Sequence, residues 1–150
     1  MHRALPMILI RVVVGLVFLT EGILKFVRPD ELGWGRFAGI GLPYPHVLAP
    51  LAGGIEIAGG VAILLNFYAG DAAILLLVVI VTALVTTKLP ILLGQPIGPL
   101  ALVKLPHYGF LSFLHEARTD LCMIFGCVAV LIDSGQHIGR RRPWYQSKGL

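Results

Sequence analysis

Charged residues are scarce in this sequence. They make up 13% of the 150 residues, whereas hydrophobic residues make up 57%. A soluble globular domain carries about 25% charged residues. This deficit, combined with several long apolar runs, excludes an ordinary soluble domain and places the chain among membrane proteins. We expect one compact unit, a single membrane domain over residues 1–150.

Cysteine is also rare, and its pattern excludes a disulfide framework. Cys122 and Cys127 are the two cysteines, and there is no CxxC motif. Five residues apart on a helix, they point about 140° away from each other, so they cannot form a disulfide within an intact helix. We interpret both as small apolar packing residues. Cysteine usage therefore does not indicate the compartment.

Histidine is missing where a haem or a metal would need it. None of the predicted membrane spans carries a histidine in its interior, which argues against a b-type haem. His107, His115 and Glu116 follow no common ligand spacing, so we predict no metal site. The sequence predicts no intrinsic cofactor.

Four segments of the chain are predicted to cross the membrane, which takes about 20 apolar residues. They are residues 7–27, 47–67, 72–92 and 117–134. Segments rich in glycine and proline follow the first and third spans. The segment after the third span has too many helix-breaking residues to cross the membrane, yet it is too apolar for an ordinary loop. We therefore predict an all-α fold, an integral membrane four-helix bundle with interfacial or re-entrant segments after helices 1 and 3.

The first span carries charges that make little sense on a helix alone in lipid. One face of this helix, at steps of four and three, carries Arg11, Gly15, Phe18, Gly22 and Lys25. Glu21 lies four residues before Lys25. A charged group in lipid costs at least ~2.5–3.5 kcal/mol on insertion scales. This face of the helix is therefore predicted to pack against partner helices. Its glycines leave room for the backbone of a neighbouring helix to approach closely.

The second span carries one carboxylate within a stripe of small residues. That stripe consists of Ala49, Gly53, Glu56 and Gly60. Glu56 lies about nine residues into the span, near mid-membrane. Two interpretations stay open: Glu56 pairs with Arg11 or Lys25 to join two helices, or it is a functional, proton-handling carboxylate.

Four spans place both termini on one side of the membrane. The basic tail, residues 136–150, contains three consecutive arginines at 140–142. Such a triplet resembles a nucleic-acid patch, but beside a membrane helix it is more typical of a cytoplasmic topology signal. We predict cytoplasmic termini, a bacterial cytoplasmic (inner) membrane and no nucleic-acid partner.

This topology gathers charged residues towards the opposite side of the bundle. The predicted polar site comprises Arg11, Glu21, Lys25, Glu56, Arg118 and Asp120, with Arg11 nearer the cytoplasmic face. A quinone pocket needs apolar walls, aromatic rings and a few polar groups. Phe18, Phe26, Phe110 and Phe113 could line such a pocket. This aromatic pattern permits a quinone pocket without being specific for one.

The first two spans resemble the DoxX family of small membrane proteins. The opening R-x3-G-x2-F-x3-G-x2-K-F of that family is matched by Arg11, Gly15, Phe18, Gly22, Lys25 and Phe26. The pattern G-x-P-x-P…E-x-x-G-G-x-x-L-L is matched by Gly41, Pro43, Pro45, Glu56, Gly59, Gly60, Leu64 and Leu65. The stretch from His115 to Gly126 is similar to one branch of the family, whereas Asp133-Ser134-Gly135 departs from the usual ending of span four.

The resemblance implies the kind of complex in which the chain works more than it implies a particular reaction. The family takes its name from membrane subunits linked to a thiosulfate:quinone oxidoreductase. It implies a non-catalytic or auxiliary subunit of a quinone-linked oxidoreductase or respiratory complex, with quinone or bound lipid as the ligand. The expected partners are the lipid bilayer and other membrane or redox proteins. The alternative is an accessory structural subunit of a larger membrane complex, whose charges only pair helices. A transporter is a third interpretation, which the absence of an internal repeat disfavours.

Overall fold

A computed structural model describes the backbone of residues 4–140 and the side chains of residues 5–135. Within this range the chain is all-helical, without strands, and an isolated bridge joins Ile97 to Leu100. The five helices are α1 (Ala4–Val27), α2 (Trp34–Gly39), α3 (Pro45–Leu64), α4 (Ala69–Leu93) and α5 (Phe110–Arg140). The predicted all-α class is confirmed, and a short fifth helix joins the four long ones.

Four long helices pack in a ring. α1 contacts α3, α3 contacts α4, α4 contacts α5, and α5 contacts α1. The core between them is apolar, and its fully buried members include Phe18, Ile63, Leu76, Cys127 and Val130. Because consecutive long helices alternate in direction, the start of α1 lies at the same end of the ring as the end of α5.

Three helices are long and apolar enough to cross a membrane. These segments are Leu5–Val27, Pro45–Leu64 and Ala69–Leu93. They overlap the first three predicted spans. Each of them exposes several large apolar side chains on the outside of the bundle. α5 is longer but more highly charged, so its role as the fourth membrane span stays a prediction, as does the single-domain organisation.

The last helix is longer than predicted at both ends. It begins at Phe110, seven residues before the predicted start at 117, and continues to Arg140 rather than ending at 134. Gly109, with a φ of +105°, is the last breaking residue before it. Since neither glycine nor proline follows until Gly126, nothing stops the helix from forming there. The rest of the predicted basic tail, residues 141–150, lies outside the described residues.

The turn between α3 and α4 lies three residues earlier than predicted, over residues 65–68 rather than 68–71. α3 ends at Leu64 instead of 67, and α4 begins at Ala69 instead of 72. Asn66 and Tyr68 adopt left-handed backbone conformations, with φ of 53° and 48°, which reverse the chain within four residues.

The segments after α1 and after α4 meet at the same end of the bundle. The backbone N–H of Ala101 donates to the carbonyl oxygen of Ile40 at 3.1 Å. Gly41, with a φ of +82°, leaves no room for a side chain because a Cβ there would lie 1.8 Å from the carbonyl oxygen of Pro99. Together with α2 these segments cover that end of the ring. Their predicted re-entrant or interfacial position stays a prediction.

Candidate functional site

A buried ion pair joins the first helix to the third. The ammonium nitrogen of Lys25 lies 2.5 Å from Oε2 of Glu56. The two side chains are 11% and 7% exposed, so the pair is almost entirely removed from the surface. Lys25 lies in the last turn of α1, whereas Glu56 lies in the middle of α3. Of the two cations considered for Glu56 from the sequence, Lys25 is the one that contacts it.

Glycines bring the two helices close enough for this pair to form. A Cβ on Gly22 would lie 2.7 Å from the carbonyl oxygen of Gly53, and one on Gly15 would lie 2.9 Å from that of Gly60. The predicted approach of a neighbouring backbone at Gly15 and Gly22 is thereby confirmed. Close backbones bring the Lys25 side chain within reach of its partner.

Further charges surround the pair at the same end of the bundle. Glu21 on α1 and Arg36 on α2 lie close enough to act electrostatically on both Glu56 and Asp120. Lys88 on α4 acts on Asp120 in the same way. Together with the pair itself, these side chains come from all five helices.

Lys88 also pairs with the neighbouring turn of α5. Its ammonium nitrogen lies 3.6 Å from Oε2 of Glu116, which is one helical turn before Asp120. We call the whole group the polar cluster; it comprises Glu21, Lys25, Arg36, Glu56, Lys88, Glu116 and Asp120.

Arg11 lies at the other end of the bundle, as the topology indicated. Its Nη2 atom lies 2.5 Å from Oδ2 of Asp133, so this pair joins α1 to α5. The Nε atom of Arg11 is buried and has no hydrogen-bond partner among the described residues. Arg11 therefore contributes to a separate inter-helix contact and does not belong to the polar cluster.

Arg118 does not join the polar cluster either. Its side chain is exposed and donates a hydrogen bond to the carbonyl oxygen of His115 on its own helix. The aromatic residues considered for a pocket are also dispersed: Phe18 is in the core and Phe110 is 63% exposed. Phe26 lies close to the region of the pair, since a Cβ on Gly53 would lie 2.8 Å from its ring.

Sequence reasoning missed four members of these contacts: Arg36, Lys88, Glu116 and Asp133. Asp133 was considered only as part of the ending of span four. It has a signal in the topology, because in an antiparallel bundle a residue two turns from the start of α1 lies level with one two turns from the end of α5. Arg11 and Asp133 occupy such positions. Arg36 carries no such signal, since the sequence does not indicate how α2 folds against the bundle.

The polar cluster combines hydrogen-bond donors with carboxylates. A lysine ammonium has three donors. Lys25 donates to Glu56 and, at 3.5 Å, to the carbonyl oxygen of Glu21, which leaves one donor for a ligand within the described contacts. Glu21 is exposed, whereas Glu56 is buried, so the two carboxylates lie on either side of the boundary between surface and interior.

Comparisons with known proteins agree on one family. A family model described as DoxX matches residues 7–89. The chain is 47% identical, over 124 residues, to a protein of Mycobacterium tuberculosis described as an uncharacterized membrane protein. The matched region covers 83% of this chain and 72% of that relative. No solved structure matches the chain.

Proposed function

Because this chain belongs to the DoxX family of integral membrane proteins, we propose that it is a membrane subunit of a quinone-linked oxidoreductase or respiratory complex. In this proposal the chain is an auxiliary subunit, the polar cluster shapes a quinone or partner site, and the ligand is a quinone rather than an intrinsic cofactor. The expected location is the bacterial cytoplasmic membrane.

The observation that carries this proposal is the buried Lys25–Glu56 pair, with the further charges Glu21 and Arg36 close to it. Ionisable groups inside membrane helices are costly, and they commonly mark ligand sites or proton pathways. A pair that served only to join α1 and α3 would not need Glu21 and Arg36 near it, because glycine contacts already bring these helices together.

The chemistry of the polar cluster suits a quinone head group. A quinone carbonyl accepts a hydrogen bond, which the remaining donor of Lys25 can supply. Reduction to the quinol takes up two electrons and two protons. A redox partner of the complex would supply the electrons, and the Glu56 and Glu21 carboxylates would pass protons from the surface to the quinone oxygens. The ring of Phe26 beside Gly53 offers an apolar wall.

The test is a gentle purification of the tagged full-length chain from its native membranes, with mass spectrometry of the accompanying proteins and quinones. Glu56→Gln removes the buried carboxylate while keeping its shape. Glu31→Gln is the matched control, because Glu31 is exposed in the turn after α1. We expect wild type and the control to retain a redox protein and stoichiometric quinone, and Glu56→Gln to keep the protein but lose most of the quinone. Quinone absent from wild type, or unchanged in Glu56→Gln, would overturn the proposal.

A structural role is the second candidate, and the ion pairs themselves favour it. Each of the three described pairs joins two different helices: α1 to α5, α1 to α3, and α4 to α5. In this case the chain would be an accessory subunit whose charges assemble the bundle. Glu56→Gln would then reduce the amount of folded chain and of its associated complex together, and no quinone would be recovered with either form.

A further inference from the structure

An open groove runs along the outer side of the bundle between α3 and α4. Its volume is about 550 Å³. Along α3 it extends from Pro50 to Ala62, a distance of about 18 Å at 1.5 Å per residue. Gly54 and Ala58, which line it, point away from Glu56, since two residues along a helix correspond to about 200°. The groove and the polar cluster therefore lie on opposite sides of α3.

Small residues keep the groove open. Gly54, Ala58 and Ala62 follow one another at intervals of four and present almost no side chain to it. A Cβ on Gly54 would meet nothing within 4 Å. Leucines at positions 51 and 75 border the groove and are both more than half exposed. These features make a long apolar surface without a protein side chain to fill it.

The surface of the groove is almost entirely apolar, and an acidic residue borders one end of it. Tyr68 and Asp71, at the start of α4, line the end nearest the α3–α4 turn. Asp71 is exposed, and none of the three ion pairs among the described residues includes it. An apolar channel bordered at one end by such a carboxylate is complementary to an amphiphile whose head carries a positive charge.

We propose that this groove binds a membrane phospholipid with an ammonium-bearing headgroup. One acyl chain lies along α3 over Gly54 and Ala58, and the headgroup ammonium contacts the carboxylate of Asp71. The Tyr68 hydroxyl offers a hydrogen bond to the same headgroup, which suits the preference of tyrosine for the membrane interface. The proposal does not depend on any role of the polar cluster.

Lipid retention by the purified full-length chain tests the assignment. The chain is exchanged into detergent containing equal amounts of phosphatidylethanolamine and phosphatidylglycerol with identical acyl chains, and bound lipid is counted by native mass spectrometry. We expect wild type to retain phosphatidylethanolamine preferentially. Asp71→Asn should reduce that preference about two- to fivefold, the range of one exposed ion pair. Asp30→Asn, which removes an exposed carboxylate in the turn after α1, should leave it unchanged.

A second variant tests the acyl-chain part of the site. Gly54→Leu places a side chain in open space, so the fold should tolerate it, and retention of both lipids should fall. Gly39→Leu in α2 is the matched control, because a Cβ there also meets nothing. Equal retention of the two lipids by wild type, or an unchanged preference in Asp71→Asn, would overturn the proposal. A photoreactive amino acid at position 58 that captured a polypeptide would assign the groove to a partner helix instead.

Discussion

Gly22 lies directly against the carbonyl group of Gly53, so the backbones of α1 and α3 are in contact. A Cβ on Gly22 would lie 2.7 Å from that oxygen, and a Cβ on Gly60 would lie 2.8 Å from the carbonyl oxygen of Gly15. Two contacts about two turns apart on each helix hold α1 along the face of α3 that carries Glu56. The buried ion pair thus depends on residues that have no side chain at all.

Gly22→Ala should therefore destabilise the protein. The methyl group would meet backbone, which cannot move aside as a flexible side chain can, and overpacking of this kind costs about 1–3 kcal/mol. The measurement is the apparent melting temperature of the purified chain in one detergent, followed by circular dichroism. Gly54→Ala, also in a helix of this pair but facing open space, is the control and should lose no stability. Equal melting temperatures for wild type and Gly22→Ala would contradict the close contact.

If the Lys25–Glu56 pair is structural, as in the second candidate function, removing either partner should cost more than removing both. Lys25→Met or Glu56→Gln alone leaves one buried charge or polar group without its partner, and breaking a buried pair in this way typically costs about 3–5 kcal/mol. The double variant leaves no uncompensated charge and should recover part of the loss. The same melting measurement on the four proteins of the cycle gives the coupling between the two residues.

Arg118→Gln is the matched control for this cycle, because Arg118 is an exposed cation bonded to its own helix. A surface substitution of this kind should change stability by less than about 0.5 kcal/mol. Strictly additive losses for Lys25→Met and Glu56→Gln would show that the two side chains do not stabilise each other, despite the 2.5 Å between them.

Both termini should lie in the cytoplasm. The three consecutive arginines at 140–142 begin at the last residue of α5, and clustered basic residues next to a membrane helix are retained on the cytoplasmic side. A green fluorescent protein fused to the C-terminus should fluoresce, whereas alkaline phosphatase at the same place should be inactive. The same reporters fused at position 104, between α4 and α5, should give the opposite result. An active phosphatase at the C-terminus would reverse the predicted orientation.

Much of the architecture is readable from the sequence because the bilayer imposes it. Runs of about 20 apolar residues must form helices, since no other backbone arrangement except a closed barrel satisfies its hydrogen bonds in lipid. The positions of α1, α3 and α4 follow from this constraint. The spacing of Gly15, Gly22 and Lys25 also identifies the face of α1 that meets another helix, because residues three and four apart share a face.

The helix ends were less predictable, because they depend on single residues. The α3–α4 turn lies three residues earlier than predicted, with left-handed conformations at Asn66 and Tyr68, and α5 begins directly after Gly109. An apolar segment with scattered charges, such as 110–117, is compatible with either a helix or an irregular interfacial segment. Packing against α4, where Glu116 meets Lys88, is consistent with the helix.

The sequence by itself determined that this is an integral membrane protein of helices, that its first two spans have the DoxX pattern, and that charged residues lie inside those spans. Composition and periodicity suffice for the membrane helices, because they report how each segment partitions between water and lipid, whereas the family pattern rests on matching residues. Only the tertiary structure decided which charges meet: Lys25 with Glu56, and Arg11 with Asp133, whereas Arg118 bonds to the carbonyl oxygen of His115 on its own helix. Pairing depends on the rotation and depth of each helix against its neighbours, and those follow from contacts between side chains and backbones far apart in the chain.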